Sequence, residues 1–262
     1  MLEFKPMQPG TQTSLQTDSI VQKDKIISLI EDDRAFIQKK HDGASTVGIL
    51  QGDYIGMEHD LLLKRFNYRN FIDLLKQLIF RSRARRLWCT NLEFHSKGLP
   101  VPKPVAYIDL SFRNKDSFYL STVIDNAEDL GTTYKKGLVE GDKELTHQLA
   151  ETLASWHRAG AVHGDLKWSN ILLRRLDGEY RFFFIDLDHA RLFPSPFIKG
   201  ILKDLRRFFR FGLELSAEEW VESEFLPQYI NCISPEMRSR IDTLSLKNSA
   251  LKDWTKRGRK AL

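Results

Sequence analysis

A chain of 262 residues is long enough for one large domain or two lobes with ample core. Its 42% hydrophobic and 29% charged content excludes a chain disordered throughout, and no apolar run reaches the length of a membrane span. The net charge of +5 favours anionic partners such as nucleotide or an acidic membrane, but no aromatic-and-basic recognition motif accompanies it, so nucleic acid is the least favoured of these. Cys89 and Cys232 form no CxxC unit, and the N-terminus lacks a signal pattern; both suit a protein of the reducing cytoplasm, which is expected, separately, to be a monomer.

In chain order, residues 1–17 are polar, carry Pro6, Pro9 and Gly10, and are expected to lack fixed structure. Asp18 to Ile30 reads as a short helix or strand leading inward. From Ala35 to Phe66 the pattern is one of short strands: Phe36–Gln38, a turn over His41–Thr46, a return through Val47–Leu50, then Leu61–Lys64. Lys64 ends an apolar strand, where a lysine either grips the α- and β-phosphates of a nucleotide or protects a sheet edge facing solvent. The turn at Gly43–Thr46 is not GxGxxG, yet its backbone N–H groups and the Ser45 and Thr46 hydroxyls are placed to cover phosphate.

Lys64 to Arg86 is amphipathic, with eight basic residues against the single Asp73. It reads either as a segment lying on an anionic membrane or as a helix with one core face and one solvated basic face. A second helix is expected over Ser82–Ser96, then an extended Leu99–Pro104 lead into strands over Val105–Ile108 and Asp116–Val123. Ile124–Ala127 is expected as the hinge between two lobes, 18–124 and 125–262, where Thr122 and Asp125 would meet an adenine edge. Leu145, Leu149, Leu153 and Trp156 mark a buried helix over Lys143–Ala159, closed by Gly160. Lys199–Leu213 reads as a basic helix whose one acid, Asp204, either pins the loop described next or makes a surface ion pair. Ser216 is expected to cap a following helix, and the basic tail Trp254–Lys260 to be mobile.

The chemistry concentrates in Ala161–Ala190, AVHGDLKWSNILLRRLDGEYRFFFIDLDHA. Asp165 and Asn170 stand five residues apart, and Asp186 caps an apolar run. Phosphoryl transfer needs such a set: oxygens to hold Mg²⁺, one carboxylate beside the attacking hydroxyl, and a cation to balance charge. Asp165 is read as the group that accepts or orients the acceptor's proton, Lys167 as the partner of the γ-phosphate, and His163 as a brace for this catalytic loop. Asn170 and Asp186, with Asp188 as the rival carboxylate, are the metal ligands. Asn170–Leu173 and Tyr180–Ile185 are strands joined at Asp177-Gly178, a strong hairpin signal that carries both ends towards one site.

Four stretches in order, LLLKRF at 61–66, SRARRLW to GLPVPKPVA at 82–106, HGDLKWSNILL at 163–173 and FIDLDHARL at 184–192, resemble the lipopolysaccharide kinase family, the Kdo and heptose kinases of the bacterial lipopolysaccharide inner core. The resemblance covers roughly residues 35–212. It implies an α+β, two-lobed, protein-kinase-like fold, ATP and Mg²⁺ as cofactors, and a lipid-linked sugar acceptor at the cytoplasmic face of the inner membrane. One departure stands out: Leu87 occupies the position where some members carry a helix glutamate that pairs with the strand lysine, and Glu93 is the helix's only acid. Two other readings stay open, a small-molecule phosphotransferase of the aminoglycoside or choline kinase kind, and a nucleotide-binding scaffold without activity.

Overall fold

The computed structural model describes residues 3–4, 36–41, 45–55, 59–66, 82–109 and 117–258. Apart from Glu3–Phe4, the readings made for residues 1–17 and 18–30 lie outside those residues, as do positions 67–81 of the basic segment. The chain divides into two compact units, Met1–Ser96 with Pro102–Asp125, and Lys97–Val101 with Asn126–Leu262.

The first unit is built on one antiparallel sheet. Its strands are β1 (Glu3–Phe4), β2 (Phe36–His41), β3 (Ser45–Leu50), β4 (Leu61–Phe66), β5 (Pro104–Asp109) and β6 (Ser117–Thr122), in the spatial order β1-β5-β6-β4-β3-β2. Helix α1 (Arg83–Ser96) follows Ser82, whose hydroxyl accepts the Arg85 N–H at 3.0 Å as an N-cap does. Ala84, Leu87, Trp88, Asn91 and Phe94 recur at helical spacing, are buried, and face β5 and β6.

Two expectations change here. Lys64–Phe66 belong to β4 and Arg83–Arg86 to α1, so no helix begins at Lys64. β4 pairs along its whole length with β3 and β6, and this buries Leu61, Leu63 and Phe66, so strand pairing decides the conformation here and local helical spacing does not. Ser45 and Thr46 lie in β3 rather than in a turn, pairing with Phe66 and Arg65.

In the second unit, α2 (Leu130–Lys135) and α3 (Lys143–Arg158) start at Asp129 and Asp142, whose carboxylates accept the N–H of Thr132 and Leu145. The apolar stripe of α3, Leu145, Leu149, Leu153 and Trp156, is fully buried. Strand β8 (Ala161–Val162) pairs antiparallel with β11 (Arg191–Leu192), so His163–Ala190 is strung between two short paired strands. Within it, β9 (Ile171–Leu176) and β10 (Glu179–Phe184) form a hairpin flanked by β7 (Glu128–Asp129). Asp177 and Gly178 at the tip both have positive φ, 52° and 89°, the twist that a two-residue hairpin loop requires.

Helix α4 (Ile198–Glu214) lies close against β8. A Cβ on its Gly200 would meet Val162 Cγ2 at 2.6 Å, so only glycine allows that approach. Helix α5 (Leu226–Cys232) packs on α3, and α6 (Thr243–Gly258) packs on α4. An aromatic cluster of Trp168, Phe208, Trp220, Phe225 and Tyr229 fills the core beneath the loop. Of the tail expected to be mobile, Trp254–Lys260, the described residues through Gly258 continue α6, whose upstream Leu246 and Ala250 are buried while Trp254 is exposed. Ser216 caps nothing; it has φ 58°, and Ala217 is the N-cap.

Candidate active site

The catalytic loop begins at His163, which is wholly buried and therefore reaches no substrate. Its Nδ1 accepts the Asp165 N–H at 3.3 Å, and its Nε2 donates to the Ile185 carbonyl at 3.0 Å. Those two bonds satisfy the neutral tautomer with the proton on Nε2. Burial pushes the imidazole below the usual histidine range, against the opposing pull of Asp204, the Ile185 bond, Asp186 and Asp165. A neutral His163 thus ties the loop to the residue just before Asp186.

Asp204 on α4 is fully buried and accepts the backbone N–H of His163 at 2.6 Å and of Gly164 at 2.8 Å. Of the two readings its sequence left open, the pin to the loop is the one the structure shows. Gly164 has φ 76°, and a Cβ there would lie 2.5 Å from the His189 carbonyl, so the position between His163 and Asp165 demands glycine.

Asp165 is half-buried with both oxygens engaged: Oδ1 faces Arg207 Nη1 at 2.5 Å and Oδ2 faces Lys167 Nζ at 3.1 Å. Trp168 anchors the next turn, its indole N–H donating to the Phe208 carbonyl at 3.0 Å. Asn170 ends that turn, is buried, and donates through Nδ2 to the Asp165 carbonyl at 2.9 Å. Ile185 N–H donates to the Asn170 carbonyl at 3.0 Å, which sets Asn170 and Asp186 side by side at the open end of the hairpin. Asp186 is exposed and left-handed, φ 60° and ψ 54°, a conformation that costs about 1–3 kcal/mol and is commonest at functional sites. Asp188 is half-buried in the 3₁₀ turn Leu187–His189.

This donor set fits Mg²⁺. With its Nδ2 committed to the loop, Asn170 keeps its amide oxygen for a cation, and Asp186 adds an exposed carboxylate. Mg²⁺ is held by one or two carboxylates together with substrate phosphates, so no cage of protein ligands is needed.

The remaining sequence-predicted residues lie in the first unit. Lys64 is 8% exposed on β4, an interior strand between β3 and β6, which excludes the edge-protecting role. Its Nζ lies 5.2 Å from the centre of the Phe66 ring. Ser45 pairs with Phe66 and so shares the Lys64 face, whereas Thr46 pairs with Arg65 on the opposite face; the two hydroxyls do not converge. The Thr122 hydroxyl accepts the Lys103 N–H at 3.1 Å, and Asp125 is exposed in the turn at the unit boundary. Leu87 is buried on α1 and Glu93 exposed, so α1 presents no carboxylate on its buried face.

The profile of the lipopolysaccharide kinase (Kdo/WaaP) family matches residues 61–229. The chain belongs to this family. Among similar proteins, the 3-deoxy-D-manno-octulosonic acid kinase of Mannheimia succiniciproducens is 29% identical over 136 residues, 49% of this chain and 56% of the relative. That of Xylella fastidiosa (strain M12) is 28% identical over 158 residues, 55% of this chain and 60% of the relative. In both cases the chain spans less than two thirds of the relative's length. A solved structure, WaaP in complex with acyl carrier protein, superposes with a TM-score of 0.63 over 92% of this chain and 96% of its own, at 17% identity. At that identity the likeness speaks for the fold, which is the α+β, protein-kinase-like one that the motifs imply.

Arg207 is the residue of this site that sequence reasoning missed. It lies 42 positions beyond Asp165 and carries no local signal other than its place on a basic helix.

Proposed function

We propose that the protein transfers the γ-phosphate of ATP to a sugar hydroxyl, of Kdo or heptose, in the lipopolysaccharide inner core at the cytoplasmic face of the inner membrane. The observation that carries this reading is the Asp165 carboxylate held between two cations, beside a hairpin end that sets Asn170 next to Asp186. Family membership supplies the acceptor class.

In this reading, Asp165 takes the hydrogen bond of the acceptor hydroxyl and receives its proton as the new O–P bond forms and the bond to ADP breaks. Lys167 turns to the transferred phosphate, and Lys64 holds the α- and β-phosphates. Asn170 and Asp186 would hold Mg²⁺, which when bound neutralises phosphate charge. His163 and Asp204 keep the loop in shape while this happens. The test is purified protein with ATP, Mg²⁺ and lipid A–core isolated from a strain lacking the gene. Phosphate transfer to the lipid supports the reading; transfer only to aminoglycosides or choline moves the small-molecule phosphotransferase ahead.

Approach to a lipid-linked acceptor is electrostatic in this account. Among the described residues no helix is long and apolar enough to cross a membrane. The exposed Arg65 and Arg86 belong to the basic stretch, and each cation near an anionic surface contributes about 1 kcal/mol, screened by salt. Flotation with anionic vesicles at low salt, lost at high salt, is expected; equal binding to neutral vesicles contradicts it. The solved relative's complex with acyl carrier protein makes that carrier a partner to be sought by co-purification.

A further inference from the structure

Because Gly164 must lack a side chain, nothing at that position of the loop can hold the neighbouring carboxylate in place. The structure meets this need from α4. Arg207 lies three residues beyond Asp204, on the same helix face one turn along. Asp204 takes the backbone N–H of His163 and Gly164; Arg207 Nη1 donates to the Gly164 carbonyl at 2.9 Å and to Asp165 Oδ1 at 2.5 Å. One rigid helix therefore fixes four successive groups of the loop, the last being the carboxylate itself.

The two cations on Asp165 are not equivalent. Lys167 reaches Oδ2 from within the same loop by a long, flexible stem, and its side chain is 33% exposed. Arg207 is anchored on a 17-residue helix and bonds two acceptors at once, one of them backbone. When phosphate enters, Lys167 can leave Oδ2 at little cost, whereas Arg207 stays on Oδ1.

We propose that Arg207 is a positioning residue: it locks Asp165 through Oδ1 so that Oδ2, vacated by Lys167, faces the acceptor hydroxyl. The inference rests on the phosphotransferase reading. The balance is that of the transfer itself, with the hydroxyl proton passing to Oδ2 as the acceptor oxygen bonds to phosphorus and the ADP oxygen leaves. Arg207 exchanges no proton and touches no reacting atom.

The test compares Arg207→Ala, Arg207→Gln and Arg207→Lys with the wild-type chain, using ATP, Mg²⁺ and the lipid A–core acceptor. Misplacing a reacting group by about 1 Å costs on the order of 100-fold in rate. Arg207→Ala and Arg207→Gln are therefore expected to lose about 10- to 100-fold in kcat, with KM for ATP and for acceptor within about twofold. Arg207→Lys, which keeps the charge, recovers part of the loss, and added methylguanidine raises the rate of Arg207→Ala. Since Arg207 is only half-buried, its truncation leaves the fold standing; should one variant fail to fold, the others carry the same comparison. The proposal is overturned by kcat within twofold of wild type in Arg207→Ala. It is equally overturned by a rise confined to the acceptor KM, which would make Arg207 a binding group, or by a loss that neither lysine nor methylguanidine relieves. A wild-type protein that transfers no phosphate to the lipid fails the functional reading instead, so the two failures are told apart.

Discussion

Replacing Asp204 by Asn isolates what the buried carboxylate contributes, because the side-chain volume is kept and no cavity opens. Asp204 accepts two backbone N–H groups, from His163 at 2.6 Å and Gly164 at 2.8 Å, with no exposure to water. Bonds to a charged acceptor are worth about 1.5–3 kcal/mol each, against about 1 kcal/mol for a neutral pair. The Asn oxygen can serve one N–H as a neutral acceptor, but its NH₂ then faces the other donor. The gross loss is about 2–5 kcal/mol, and relief from burying a charge offsets part of it, leaving about 2–3 kcal/mol. For a domain of this size each kcal/mol lowers Tm by about 2–4 °C, so a fall of about 4–12 °C is expected. The loop also loses its register, and turnover should drop by about 10- to 100-fold with KM for ATP little changed. Thermal denaturation and steady-state kinetics on the same preparation decide the matter. A Tm within 2 °C of wild type together with normal turnover would refute the argument that Asp204 holds the loop.

Asp186→Asn keeps a residue that tolerates the left-handed conformation, so Tm is expected to stay within about 2 °C while turnover falls by about 100-fold or more; a larger loss from Asp188→Asn would reverse the choice of metal ligand. Lys64→Ala should weaken binding of an ATP analogue with Mg²⁺ by about tenfold or more in calorimetry, and unchanged affinity would remove Lys64 from the nucleotide site. Because burial lowers the folded pKa of His163 below the usual histidine value of about 6.5, the unfolded chain binds a proton that the folded one refuses as pH falls through that value. Stability is therefore full above about pH 7 and declines towards pH 5.5; a urea midpoint flat across that window, or a slope unchanged in His163→Gln, contradicts the assignment.

What could be read from the sequence was local. Asp177-Gly178 between two apolar runs gave the hairpin, since few residues adopt the positive φ values found there. Leu145, Leu149, Leu153 and Trp156 gave α3, because helical spacing of large apolar residues has few other uses. Asn170 and Asp186 are neighbours for the same reason: a tight hairpin brings its two ends together whatever else the chain does. Readings failed where tertiary packing overrides local signals. Gly43 drew a turn over Ser45 and Thr46, yet pairing with β4 takes both into β3. The charge of Trp254–Lys260 hid that its described residues continue a helix whose upstream Leu246 and Ala250 are buried. Arg207 was one arginine among many on a basic helix, and only the fold brings it to Asp165.

The most direct test of the whole account is mass spectrometry of lipid A–core from three strains: wild type, a deletion of this gene, and the deletion complemented with the Asp165→Ala chain. The account predicts a core phosphate that is present in the first and missing from the other two. An unchanged phosphate complement in the deletion strain, or its restoration by Asp165→Ala, would contradict it.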